Sequence, residues 1–152
     1  MGERARMLAA VPFRVWAVLH GVLVLTQVGL AGALLDAALG ALTWHGGIGG
    51  SLILVAAVQT VLAVPAAWPG RMPGWPVAVS AVLVVADTAQ VAIGHLGLLA
   101  VHVPLGVAIV VVQVAVAVRA LLPARRRDGH RRPGTISRDT GAHPGDGGRI
   151  SR

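Results

Sequence analysis

The chain has 152 residues, of which 55% are hydrophobic and 12% charged, against roughly 25% charged residues in an average soluble domain. A mean hydropathy of +0.75 points to a bilayer rather than to a water-soluble core, and the absence of cysteine excludes disulfides, iron–sulfur clusters and thiolate chemistry. The net charge of +7 belongs to the chain ends: between residues 11 and 118 the formal charges are Arg14, Asp36, Arg71 and Asp87, and most of the arginines follow residue 122.

A membrane-spanning helix needs about 20 mostly apolar residues. After an N-terminal segment (1–13), four stretches meet that need: 14–38, 46–67, 75–94 and 98–122. The first contains Ala31-Gly32-Ala33, a triplet like a signal-peptidase site, but its apolar run exceeds the usual signal core of about 7–15 residues, so it is read as a retained helix. "GALTWHGG" (40–47) and "GHLG" (94–97) are short connections, which make each helix pair an antiparallel hairpin. Between the hairpins, "WPGRMPGWP" (68–76) carries prolines and glycines that interrupt any helix. The expected fold is an all-α integral membrane four-helix bundle made of two repeated hairpins.

Arginine placement predicts the orientation. Arg4, Arg6 and Arg14 precede the first span, Arg71 lies between the second and third, and Arg119, Arg125, Arg126 and Arg127 accompany the end of the fourth. Both termini are therefore expected in the cytoplasm, with Trp16, Trp68 and Trp75 at the inner interface and Trp44 at the outer one. Lysine is absent while Ala, Gly, Val and Arg abound, a composition suggesting a GC-rich bacterium and hence its cytoplasmic membrane. The remainder, 123–152, is rich in Gly, Pro and Arg. It is expected to be a disordered basic tail, because it has too little apolar surface to offset the entropy of ordering. Its arginines suit anionic lipid headgroups. Without aromatics or a folded scaffold they do not suggest nucleic acid.

The hairpins share a pattern. The first reads "TQVGLAG" and then "HGGIG"; the second reads "AQVAIGH" and then "HVPLG". Gln27 corresponds to Gln90, His45 to His102 and Gly49 to Gly106. Parallel repeats place equivalent residues at equivalent depths about an axis normal to the membrane, which would bring His45 and His102 to a common centre near the outer side. The glycines lie one turn below the histidines, where a missing Cβ admits a flat macrocycle or a neighbouring helix. On helical rise His45 reads nearer the surface than His102 by roughly 7 Å, so the second helix is expected to begin by Thr43 and to tilt.

Ionisable residues inside a bilayer cost about 2.5–3.5 kcal/mol each on insertion scales and are functional candidates. Folding the second hairpin about 95–96 puts Asp87 and Gln90 beside His102, and Asp87 is expected to accept from its Nδ1–H. A plain buried His–Asp pair joining two helices reads the same contact equally well. Asp36 is the corresponding candidate for His45. His95, in a tight turn, is expected to be solvated. Deeper in the bundle, His20, Gln27 and Gln113 form a second polar cluster in which His20 and Gln113 are expected to bond. Paired glutamates, His-x-x-x-His spacing, phosphate-binding Gly loops and nucleophile motifs are all missing from the sequence, so no catalytic residue is assigned.

With histidines at the outer ends of the second and fourth helices, and with the stretch "GHLGLLAVHVPLGVAIVVV", residues 14–122 resemble one half of the heme A synthase family. That family has two four-helix modules with axial histidines at these places. The chain is also similar to small four-span membrane proteins common in actinobacteria. The resemblance implies heme binding by His45 and His102. It does not extend to oxidation of a heme methyl group, because there is one module and no Glu beside His45. Two readings follow. One is a b-type heme protein for electron transfer, sensing or heme handling, with Gly49, Gly106, Asp87, Asp36 and Gln90 around the iron ligands. The other is a cofactor-free accessory or assembly protein, alone, self-associated or within a membrane complex, whose polar residues only stabilise helix packing.

Overall fold

The computed structural model describes residues 2–70 and 72–122; Arg71 and the basic tail, 123–152, lie outside the described residues. Four helices follow one another, α1 (Glu3–Leu35), α2 (Gly40–Ala67), α3 (Trp75–His95) and α4 (Leu99–Leu121). All four are long and apolar enough to cross a membrane, α1 through its stretch Leu8–Leu35. The architecture is the expected all-α four-helix membrane bundle.

Helix α1 begins at Glu3, ahead of the apolar stretch that starts at 14, and α2 begins at Gly40, in keeping with a helix start by Thr43. The stretch 40–47 reads as a connection in the sequence, yet it is helical, although each glycine costs a helix in water about 1 kcal/mol relative to alanine. Among lipid tails no water competes for the backbone, and every N–H and C=O must be paired within the chain. The helix therefore continues through them. His45 is consequently the sixth residue of α2 and His102 the fourth of α4, which brings the two to similar distances from their helix starts.

Both hairpins turn on a left-handed residue. After α3, Gly97 has φ 69, and the Leu98 N–H reaches back to the Ile93 carbonyl at 3.2 Å. After α1, Ala37 has φ 60, and the Ala38 N–H bonds the Ala33 carbonyl at 3.0 Å. Both are 6→1 closures of a helix end, but alanine's Cβ makes the left-handed conformation costly.

Each helix packs against two neighbours: α1 and α3 both touch α2 and α4, while the diagonal pairs α1/α3 and α2/α4 stand apart. Each buries one stripe spaced by three and four residues: Ala10, Phe13, Ala17, His20 and Val24 on α1; Leu52, Ala56, Gln59, Ala63 and Ala66 on α2; Pro76, Ser80, Leu83 and Asp87 on α3; Ile109, Gln113, Val116 and Ala120 on α4. That spacing keeps a seam facing the bundle centre. Alanines dominate the half nearer the termini, around Phe13 and Val116, and larger aliphatics the half nearer the hairpin turns. The exterior inverts the pattern of a soluble protein. Val82 and Val85 are 65% and 70% exposed, whereas His20, Gln59, Ser80, Asp87 and Gln113 are at most 3% exposed. Apolar outside and polar inside is what a lipid solvent selects.

The two turns give opposite expectations. Ala37→Gly should raise the unfolding midpoint in detergent, by relieving about 1–2 kcal/mol of left-handed strain less the entropy of a freer unfolded chain. Gly97→Ala should lower it by a similar amount, as followed by circular dichroism on heating. Equal responses would mean that the turns do not set the hairpins.

Candidate functional site

The polar residues form two layers across the bundle. The layer in the middle joins all four helices. Gln113 Nε2 donates to the Ala17 carbonyl at 2.9 Å and to Gln59 Oε1 at 3.1 Å. Gln59 Nε2 in turn donates to Gln113 Oε1 at 3.1 Å and to Ser80 Oγ at 3.0 Å. His20 Nδ1 lies 3.0 Å from Gln59 Oε1. The directions are not free choices. A carbonyl can only accept, so the Ala17 oxygen fixes which end of the Gln113 amide faces it. That choice leaves Gln113 Oε1 to accept from Gln59 Nε2, which turns Gln59 Oε1 toward His20 and makes Nδ1 the donor. Asp87 completes the layer, with Oδ2 3.8 Å from His20 Nε2. Neither of these last two atoms has a hydrogen-bond partner.

The second layer lies toward the hairpin turns. Across the α2–α4 diagonal the rings of His45 and His102 stand 6.1 Å apart between centroids, tilted by 60°. His102 and Gln90 clamp α4 to α3 reciprocally. Gln90 Nε2 donates to the His102 carbonyl at 2.9 Å, and His102 Nδ1 donates to the Gln90 carbonyl at 3.1 Å. Two glycines make the clamp possible. A Cβ at Gly106 would stand 2.8 Å from Gln90 Nε2, and one at Gly94 would stand 2.9 Å from His102 Cε1. In the other hairpin Gln27 Oε1 lies 3.6 Å from where a Gly49 Cβ would be, but Gln27 Nε2 and His45 Nδ1 are buried without partners, as is Gln90 Oε1.

Several expectations need correcting. Asp87 does not bond His102: the His102 imidazole is taken by the Gln90 backbone, and Asp87, one turn further along α3, faces His20 instead. His20 bonds Gln59 rather than Gln113, because Gln59 stands between them and bonds both. Gln27 is not part of the His20 cluster and packs by Gly49. Gly49 and Gly106 seat glutamine side chains, so they do not hold open a space for a macrocycle. Asp36 is exposed in the first turn and forms no ion pair with His45 among the described residues. His95 is exposed, as expected, with Nδ1 donating to the Val91 carbonyl at 2.8 Å. Gln59 and Ser80 were missed. Gln59 is four turns beyond His45 on one helix face, as Gln113 is three turns beyond His102, and that shared stripe is the signal that could have found it.

No protein family, curated protein or solved structure matches the chain. The likeness to heme A synthase therefore rests on the pattern of the sequence. Among the described residues no three His, Asp or Glu side chains gather as metal donors, so the His45–His102 pair stands without a third ligand.

The glycines separate seats from open lipid face. Gly94→Ala and Gly106→Ala should push His102 or Gln90 out of the clamp and lower the unfolding midpoint. Gly46→Ala and Gly50→Ala meet nothing within 4 Å and should be neutral or stabilising by up to about 1 kcal/mol. Thermal unfolding of the four variants in one detergent checks this; a loss of stability in all four would remove the clamp from the account.

Proposed function

We propose that the chain is a b-type heme protein of a bacterial cytoplasmic membrane. Both termini lie inside, and His45 and His102 hold one iron near the outer face. The observation that carries this reading is the approach of the two rings to 6.1 Å across the bundle. Metal–imidazole bonds of about 2.0 Å put two ligating nitrogens about 4 Å apart across one ion, and their ring centres roughly 6 Å apart. A zinc ion takes four ligands; a macrocycle that brings its own equatorial nitrogens takes two from the protein. The donation from His102 Nδ1 to the Gln90 carbonyl leaves Nε2 with its lone pair, as an oriented metal ligand requires.

Each hairpin supplies one histidine, in keeping with the repeat in the sequence. The arginine asymmetry supports the orientation, and the arginines after residue 122 would meet anionic headgroups. The unpartnered atoms of Gln27, His45 and Gln90 belong to the same layer. Bound there, a heme supplies a one-electron couple, suited to electron transfer, sensing or heme handling. A heme there would take its two axial nitrogens from His45 and His102, while the glycine cradle expected beside it is filled by Gln27 and Gln90.

That filling favours a second reading, a cofactor-free accessory protein. In it the Gln90–His102 clamp is a helix lock, and any partner, a second copy or a membrane complex, binds elsewhere. A visible absorption spectrum of detergent-purified protein from a heme-replete host distinguishes the two. A b-type spectrum is expected, lost in both His45→Ala and His102→Ala and kept in His95→Ala. A colourless wild type, or pigment that survives both ligand substitutions, would leave the accessory reading standing.

A further inference from the structure

We propose that His20 and Asp87 form a buried proton-binding site, holding one exchangeable proton between His20 Nε2 and Asp87 Oδ2 on the α1–α3 diagonal. The site lies outside the His45–His102 pair and does not depend on whether heme binds there.

The argument starts from hydrogen-bond direction. The Ala17 carbonyl accepts from Gln113, the Gln113–Gln59 amide pair is reciprocal, and Gln59 Oε1 is left to accept from His20 Nδ1. His20 thus spends its Nδ1–H inside the network. In a neutral imidazole the other nitrogen is then a bare acceptor. Facing it at 3.8 Å is a carboxyl oxygen, which when ionised is also an acceptor. Both atoms are buried, and neither has another partner. Two bare acceptors buried side by side are unsatisfied twice over. One proton between them makes one atom the donor and the other the acceptor, and it leaves the pair uncharged. The proton comes from the medium and returns to it, with no covalent bond in the chain broken.

The surroundings leave no other ion to do this. The groups packed around the pair from the other helices, Gln59 on α2 and Gln113 on α4, are neutral amides, and Ser80 on α3 is a hydroxyl. Arg14 on α1, His45 on α2, His95 on α3, and His102 and Arg119 on α4 form no ion pair with Asp87. Because α1 and α3 do not touch as helices, this proton adds a direct link across the bundle to the one that Gln59 makes between His20 and Ser80. Its loss leaves a lone pair facing a carboxylate, so the stability it confers is present while it is held and is lost as the pH rises through the titration of the pair.

Asp87→Asn supplies the test, since an amide N–H can donate to His20 Nε2 permanently in place of the proton. The full chain, purified in detergent, is heated over a series of pH values and followed by circular dichroism. In parallel, protein with carbon-13 aspartate is titrated by infrared spectroscopy. The wild type is expected to lose roughly 3–5 °C of unfolding midpoint on the alkaline side, and its carboxyl band should titrate over the same range. Asp87→Asn should fold with a midpoint that does not fall there, and it should lack that band. The proposal is overturned if wild type and Asp87→Asn share one pH profile, or if the titrating band persists in the variant.

Discussion

The arrangement hangs on a single backbone acceptor, the carbonyl of Ala17. In a bundle surrounded by lipid, a buried amide that finds no partner within the chain finds none at all. By accepting from Gln113, Ala17 sets the direction of every bond that follows, through Gln59 to Ser80 and His20. Four helices contribute to that one layer, and the amides of Gln59 and Gln113 meet across a diagonal that the helix backbones leave open. The alanines at 10, 17, 63, 66 and 120 beside it let the helices approach, which suits association in lipid, where packing and hydrogen bonds replace a hydrophobic driving force.

The histidine layer follows the same rule with a different outcome. Gln90 and His102 exchange side-chain and backbone bonds, so α3 and α4 are tied close to their turn. Gln27 and His45 hold the corresponding places in the first hairpin but leave two polar nitrogens without partners. Both halves keep a buried polar atom without a partner, Gln90 Oε1 in the second hairpin and the Gln27 and His45 nitrogens in the first. The central layer joins all four helices, while the layer at the turns joins α3 to α4 and sets the His45 and His102 rings side by side.

Much of this was legible in the sequence, for reasons that can be named. Long apolar runs and proline-rich breaks are set by bilayer thickness and backbone sterics, so the four helices and their hairpins could be read directly. His45 and His102 come together because each lies in the first turns of a helix that follows a hairpin connection, and α2 starts as early as Gly40. The connection read at 40–47 proved to be the first turns of α2, because a backbone among lipid tails stays helical where one in water would not. Partner choice within the polar set was harder to read. Asp87 lies on the same stripe as Ser80 and Leu83, and that stripe points to the bundle centre and His20, whereas simple folding of the hairpin had paired it with His102. Gln59 escaped notice because a lone glutamine in an apolar run carries no motif; its meaning comes from three partners on three other helices.

The central claim is that hydrogen-bond direction, fixed at Ala17, passes through the Gln113 and Gln59 amides to His20, while the Gln90 carbonyl fixes it at His102. Nitrogen-15 magnetic resonance of histidine-labelled protein reads it directly, because the two ring nitrogens differ in shift according to which bears the proton. The account predicts a protonated Nδ1 at His20, donating to Gln59, and a protonated Nδ1 at His102, donating to Gln90, with each resonance assigned by its loss on substitution. A His20 whose Nδ1 is bare would contradict it, since the Gln59 and Gln113 amides would then have to be reversed and the Gln113 Oε1 set against the Ala17 carbonyl, acceptor against acceptor.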